Sequence, residues 1–123
     1  MEKVFTEKAP AAIGPYSQAI KSGGFLFASG QIPVDPATGE IRGKDIASQT
    51  EQSCKNIEAV LKESGTSFEK VVKTTCFISD MCDFAGFNSV YEKYFISKPA
   101  RSCVAVKQLP KNVLCEIEVI AEL

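Results

Sequence analysis

The chain has 123 residues, 45 % of them hydrophobic and 24 % charged, and 14 basic against 15 acidic side chains leave a net charge of −1. This is enough chain for one domain, 1–123, with a real core, and the even charge gives no reason to expect a nucleic-acid partner. Histidine is absent, which removes Ser-His-Asp and Cys-His nucleophile systems, His-ligated zinc and any histidine general base.

There is no apolar run of transmembrane length. Met1-Glu2-Lys3-Val4 lacks the apolar core of a signal peptide, so the expected location is the cytosol and no membrane partner is expected. The five cysteines, Cys54, Cys76, Cys82, Cys103 and Cys115, are odd in number and contain no C-x-x-C pair. They read as buried free thiols in a reducing compartment, with no metal site.

In chain order, residues 15–21 and 25–30 read as strands around Ser22-Gly23-Gly24, a hairpin signal. Asp35-Pro36-Ala37-Thr38-Gly39 reads as a turn. Ile46, Thr50, Cys54, Ile57, Val60 and Leu61 recur at spacings of three and four, which predicts a helix over 46–64 ending at Gly65. The β-branched run 71–78 predicts a strand. Asp80 or Asp83 can cap a second helix over 83–96. Its Phe84, Phe87, Val90, Tyr91, Tyr94 and Phe95 read as core, and Pro99 ends it. Strands over 102–107 and 114–121 read as a C-terminal hairpin. The expected fold is α+β, a mixed sheet with two helices on one face.

Side chains alternate across a strand. On that basis Val104 and Val106 are expected to face the helices, with Arg101, Cys103, Glu116 and Glu118 together on the uncovered face. A hairpin register pairing 107 with 114 sets Cys103 opposite Glu118 and Ala105 opposite Glu116. Leu114, Ile120 and Ala105 share that face, which suits burial by a second copy of the chain. The first strands add a polar set, Tyr16, Ser17, Ser29 and Gln31, beside Gly14-Pro15 and Gly30.

Several of these segments resemble one family in order along essentially the whole chain. They are Ala11-Ala12-Ile13-Gly14-Pro15-Tyr16-Ser17-Gln18-Ala19, Ala28-Ser29-Gly30-Gln31-Ile32-Pro33, Val71-Val72-Lys73-Thr74-Thr75 and Phe84-Ala85-Gly86-Phe87-Asn88-Ser89-Val90-Tyr91. Pro99-Ala100-Arg101-Ser102-Cys103-Val104 and Glu116-Ile117-Glu118-Val119-Ile120-Ala121 complete the series. The family is that of the Rid (YjgF) imine deaminases. One departure is the short link Ile96-Ser97-Lys98 before Pro99, where some members carry several more residues. The resemblance implies a chorismate-mutase-like subunit, a homotrimer around a central barrel with sites between subunits, and no cofactor. It also implies hydrolysis of 2-imino or enamine acids, released by pyridoxal-phosphate enzymes, to 2-keto acids and ammonia.

Chemistry and resemblance together assign roles. An imino acid carries a carboxylate, which a planar guanidinium grips in a bidentate fashion as lysine does not; Arg101 matches that position. Water held against C2 needs a carboxylate to orient it and take its proton, and Glu116 matches. Its pKa is expected to rise with burial and fall with Arg101 nearby. Cys103 lines the pocket rather than attacking. Tyr16, Ser29, Gly30 and Asn88 complete the substrate-binding set, with turn or cap hydrogen bonding as the alternative role for Tyr16, Ser29 and Asn88. The competing functions are a non-catalytic small-carboxylate binding module and an endoribonuclease or translation inhibitor.

Overall fold

A computed structural model describes residues 1–123. Its strands are β1 (Glu2–Val4), β2 (Ala19–Ser22), β3 (Phe25–Ala28), β4 (Val71–Ile78), β5 (Ala100–Ala105) and β6 (Cys115–Glu122), and its helices are α1 (Ile46–Ser64) and α2 (Phe84–Tyr94). The α+β expectation holds: one mixed sheet carries both helices on one face. Cys54, Ile57, Val60 and Leu61 of α1 and Phe87 and Tyr91 of α2 share a buried core with Leu26, Cys76, Ile78, Cys115, Ile117, Val119 and Ala121 of the strands.

Local chemistry sets the helix ends. The Asp45 carboxylate accepts from the Ser48 N–H at 2.8 Å and opens α1. Gly65, at φ 82°, closes it in the left-handed region that favours glycine. Asp80 accepts from the Cys82 N–H at 2.8 Å at a short 3₁₀ turn leading into α2. Asp83 makes no such side-chain bond. The strand β1 has no counterpart in the sequence reading; its two pleats are too short to show a period.

The C-terminal hairpin is a correction. The sheet order is β1-β2-β3-β6-β4-β5, so β4 lies between β5 and β6. It pairs parallel with β5 and antiparallel with β6. A strand followed by a helix and a second strand brings the two strands side by side in parallel. β6 then takes the other edge of β4. The link between β5 and β6 crosses the end of β4, where the Val106 N–H donates to the Ile78 carbonyl and the Ser79 N–H to the Leu114 carbonyl.

This order also corrects the faces. Arg101 pairs with Thr74, Cys103 with Cys76 and Ala105 with Ile78. Paired residues share a face, and Thr74, Cys76 and Ile78 are wholly buried under the helices. Arg101 and Cys103 therefore lie on the helix side. Val104 pairs with Phe77 on the open side, 47 % exposed. Glu116 and Glu118 pair with Phe77 and Thr75 on that open face, as expected. The expected register of Cys103 against Glu118 does not occur.

Candidate functional site

The site residues fall into two groups on opposite sides of the sheet. The first is built around Arg101, on the edge strand β5. Its Nη1 donates to the Asn88 Oδ1 at 2.7 Å. Its guanidinium carbon lies 4.7 Å from the Tyr91 ring centre and 5.5 Å from that of Phe84. These distances are within cation–π range. No carboxylate pairs with it: the salt bridges are Lys21–Glu2 and Lys62–Glu58. Asn88, Tyr91, Glu92, Ile96, Lys98 and Arg101 border an open cleft of about 630 Å³. An oriented guanidinium with free N–H groups facing such a cleft can receive a carboxylate.

Cys103 stands beside this group, half-buried. Burial pushes its thiol up, against the opposing pull of the Arg101 charge. A thiol so held is a poor nucleophile at neutral pH, which favours the lining role. Cys54, Cys76 and Cys115 are buried free thiols and Cys82 is an exposed one, so burial does not extend to all five. Burial pushes Cys76 up to about 12 and Cys115 up to about 11. No group of His, Cys, Asp and Glu is arranged to hold a metal ion.

The second group lies where β3 runs out beside β6. Gln31 and Ile117 exchange both backbone hydrogen bonds, at 2.8 and 3.2 Å, which presses Gly30 against Glu116. A Cβ on Gly30 would lie 2.3 Å from the Glu116 Oε1. The half-buried Glu116 carboxyl is held above its ordinary range, first by burial and then by Glu118. Arg101, on the far side of the sheet, contributes nothing to it, so the expected opposition is absent within one chain. The Ser29 hydroxyl donates to the Ser17 carbonyl at 2.6 Å. That is the turn role weighed for it. Tyr16 is exposed and borders a hollow of about 750 Å³ with Ser29 and Glu118. Tyr16 and Gly30 also border a second hollow of about 300 Å³ with Gln31 and Lys111.

Arg101, Asn88 and Cys103 thus meet, and so do Tyr16, Ser29, Gly30 and Glu116, but one chain does not join the two sets. Sequence reasoning placed Tyr91 and Phe84 in the core and missed their contact with Arg101. Their helical stripe was the available signal; the parallel pairing of β4 and β5 that aims Arg101 at it was not readable.

The fold and site together define a class: a small α+β chain that presents an arginine without a carboxylate partner at a sheet edge and a half-buried carboxyl on an open sheet face. The comparisons narrow it. A family model described as Endoribonuclease L-PSP matches residues 6–123. A RutC family protein of Pyrococcus abyssi is 57 % identical over 98 % of this chain and 95 % of its own. The solved structure of YyfA from Yersinia pestis, of the conserved Rid protein family, superposes with a TM-score of 0.96 at 51 % identity, covering 99 % of this chain and 98 % of that one. The E. coli TdcF structure with bound serine has a TM-score of 0.95 at 44 % identity, over 100 % of this chain and 99 % of that one. The chain belongs to the Rid (YjgF) family.

Proposed function

We propose that this protein hydrolyses small 2-imino acids, such as 2-iminopropanoate and 2-iminobutanoate, to 2-keto acids and ammonia. The observation that carries the reading is the Arg101 guanidinium: fixed by Asn88, backed by Tyr91 and Phe84, and free of any carboxylate partner. It would take the substrate carboxylate through paired charged hydrogen bonds. That TdcF was solved with serine bound, an amino acid with the same carboxylate, supports the reading.

Water adds to C2, forming a C–O bond and a tetrahedral amino alcohol, while Glu116 takes the water proton. Glu116 returns the proton to nitrogen, the C–N bond breaks as the hydroxyl oxygen forms the C=O bond and gives its proton back to the Glu116 carboxylate, and ammonia and the keto acid leave. Imines hydrolyse unaided in water, so positioning supplies much of the acceleration. No protein cofactor enters this scheme.

Arg101 and Glu116 serve one substrate only if they come from different copies of the chain. The open sheet face supports such an assembly: no helix covers it, and Phe27 and Val104 on it are 46 % and 47 % exposed. A homotrimer with three intersubunit sites is the arrangement we propose. No helix is long and apolar enough to cross a membrane, and cytosolic action is part of the same proposal.

The test adds purified protein to a serine or threonine dehydratase releasing imine, with semicarbazide as a competing trap. Faster keto-acid formation and less semicarbazone, with wild type but not with Arg101→Ala, is the expected result. No effect across several amino-acid substrates would leave the small-carboxylate binding module as the better reading. The family model's name keeps RNA cleavage as a control assay. Cleavage that persists in an Arg101→Ala, Glu116→Ala double variant would lie outside this site.

A further inference from the structure

Two buried hydroxyls form a device that no part of the proposed chemistry uses. Thr74, wholly buried on β4, and Tyr91, 8 % exposed on α2, share a hydrogen bond of 2.8 Å between Thr74 Oγ1 and Tyr91 Oη. The Cys76 thiol donates to the same Thr74 oxygen at 3.8 Å. Thr74 is also the register partner of Arg101 on β5. The Tyr91 ring is stacked on Phe95, centres 4.2 Å apart and planes 20° from parallel, and its other neighbour is Phe87. The guanidinium of Arg101 rests 4.7 Å from the centre of that ring.

The path is closed: Arg101 main chain, across the ladder to Thr74, through the hydroxyl pair to Tyr91, and back through the ring to the Arg101 side chain. Val and Phe would fill the same volumes without burying two hydroxyls. A paired set of buried polar groups contributes little net stability over apolar groups of the same shape. A ring held at both its phenol end and its stacked face cannot tilt, so the cation above it is held in one orientation.

We infer that Thr74 and Tyr91 are positioning residues that fix the plane of the Arg101 guanidinium for the incoming carboxylate. The inference rests on the carboxylate-clamp part of the reading above and not on turnover. Asn88 constrains Arg101 at one N–H edge; the pinned ring constrains its face.

The test uses the full chain with Thr74→Val, Tyr91→Phe and the double variant, each in wild-type and Arg101→Ala backgrounds. Binding of 2-oxobutanoate is measured by calorimetry, and the apparent KM and kcat for imine hydrolysis are measured beside it. The expected result is weaker keto-acid binding and a higher KM by about 3- to 10-fold, with kcat within about twofold. The double variant is expected to melt close to wild type, and Thr74→Ser, which keeps the hydroxyl, to restore binding. In the Arg101→Ala background the same changes are expected to have no further effect. Unchanged binding in the double variant overturns the inference, as does an effect that persists without Arg101. If wild type binds keto acid but hydrolyses no imine, the deaminase reading fails while the binding arm still decides this one.

Discussion

Gly30 and Glu116 are packed so closely that any side chain at 30 would displace the carboxyl: a Cβ there lies 2.3 Å from Oε1 and 2.8 Å from the carboxyl carbon. Gly30 has no positive φ, so the glycine is required by space and not by backbone conformation. Gly30→Ala is therefore expected to fold, with a stability change within about 1 kcal/mol because the backbone is unstrained. It is expected to lose most imine hydrolysis, because Glu116 must swing away. A melting curve beside the trap assay reads both; wild-type turnover in a folded Gly30→Ala would remove Glu116 from the water-activating role.

Arg101 has no carboxylate partner to strand, so its removal leaves no uncompensated buried charge. Arg101→Ala is expected to fold and to bind 2-oxobutanoate at least about 10-fold more weakly, the loss of charge-assisted hydrogen bonds. Arg101→Lys is expected to be nearly as poor, since a lysine offers no fork and a weaker stack on Tyr91. Calorimetric titration of both variants checks this, and full activity in Arg101→Ala would sink the assignment.

Burial and Glu118 both raise the Glu116 pKa. As the proton acceptor, Glu116 must be ionised, so kcat/KM is expected to fall on the acid side as Glu116 is protonated, with burial and Glu118 moving that limb up and the neighbouring copy's Arg101 opposing them. Glu118→Gln removes one cause and is expected to move that limb to lower pH. Glu116→Gln is expected to impair turnover more than ligand binding. For stability the sign is the reverse of a salt-bridged acid. A raised folded pKa means the contribution is present below the unfolded value and lost as pH rises through the folded one. Glu116→Gln should gain stability relative to wild type on going from pH 4 to pH 7, read by denaturant titration at the two pH values.

Across the open face, Ile20, Phe27 and Ile120 stand in one cross-strand row. An apolar row of this kind on an uncovered sheet face suits burial by another copy. Sedimentation or light scattering is expected to give a mass of three chains. Phe27→Asp is expected to lower that mass and abolish imine hydrolysis together, since Arg101 and Glu116 would then have no shared site. A wild-type monomer with full activity contradicts the composite site.

The hydrophobic period of 46–64 and the β-branched run of 71–78 gave α1 and β4 with the bounds the structure has, because period and propensity act over neighbouring residues. The family was legible too, since motifs such as Pro99-Ala100-Arg101-Ser102-Cys103-Val104 are local strings. The partner of each strand was not. β5 and β6 look like a hairpin because they are adjacent in sequence, but α2 carries the chain back so that β5 joins β4 in parallel. One such choice of neighbour turns Arg101 from the open face to the Tyr91 ring and parts it from Glu116. Pairing is decided by which edge a strand meets once the helices cover one face of the sheet, and that competition among distant segments exists only in three dimensions.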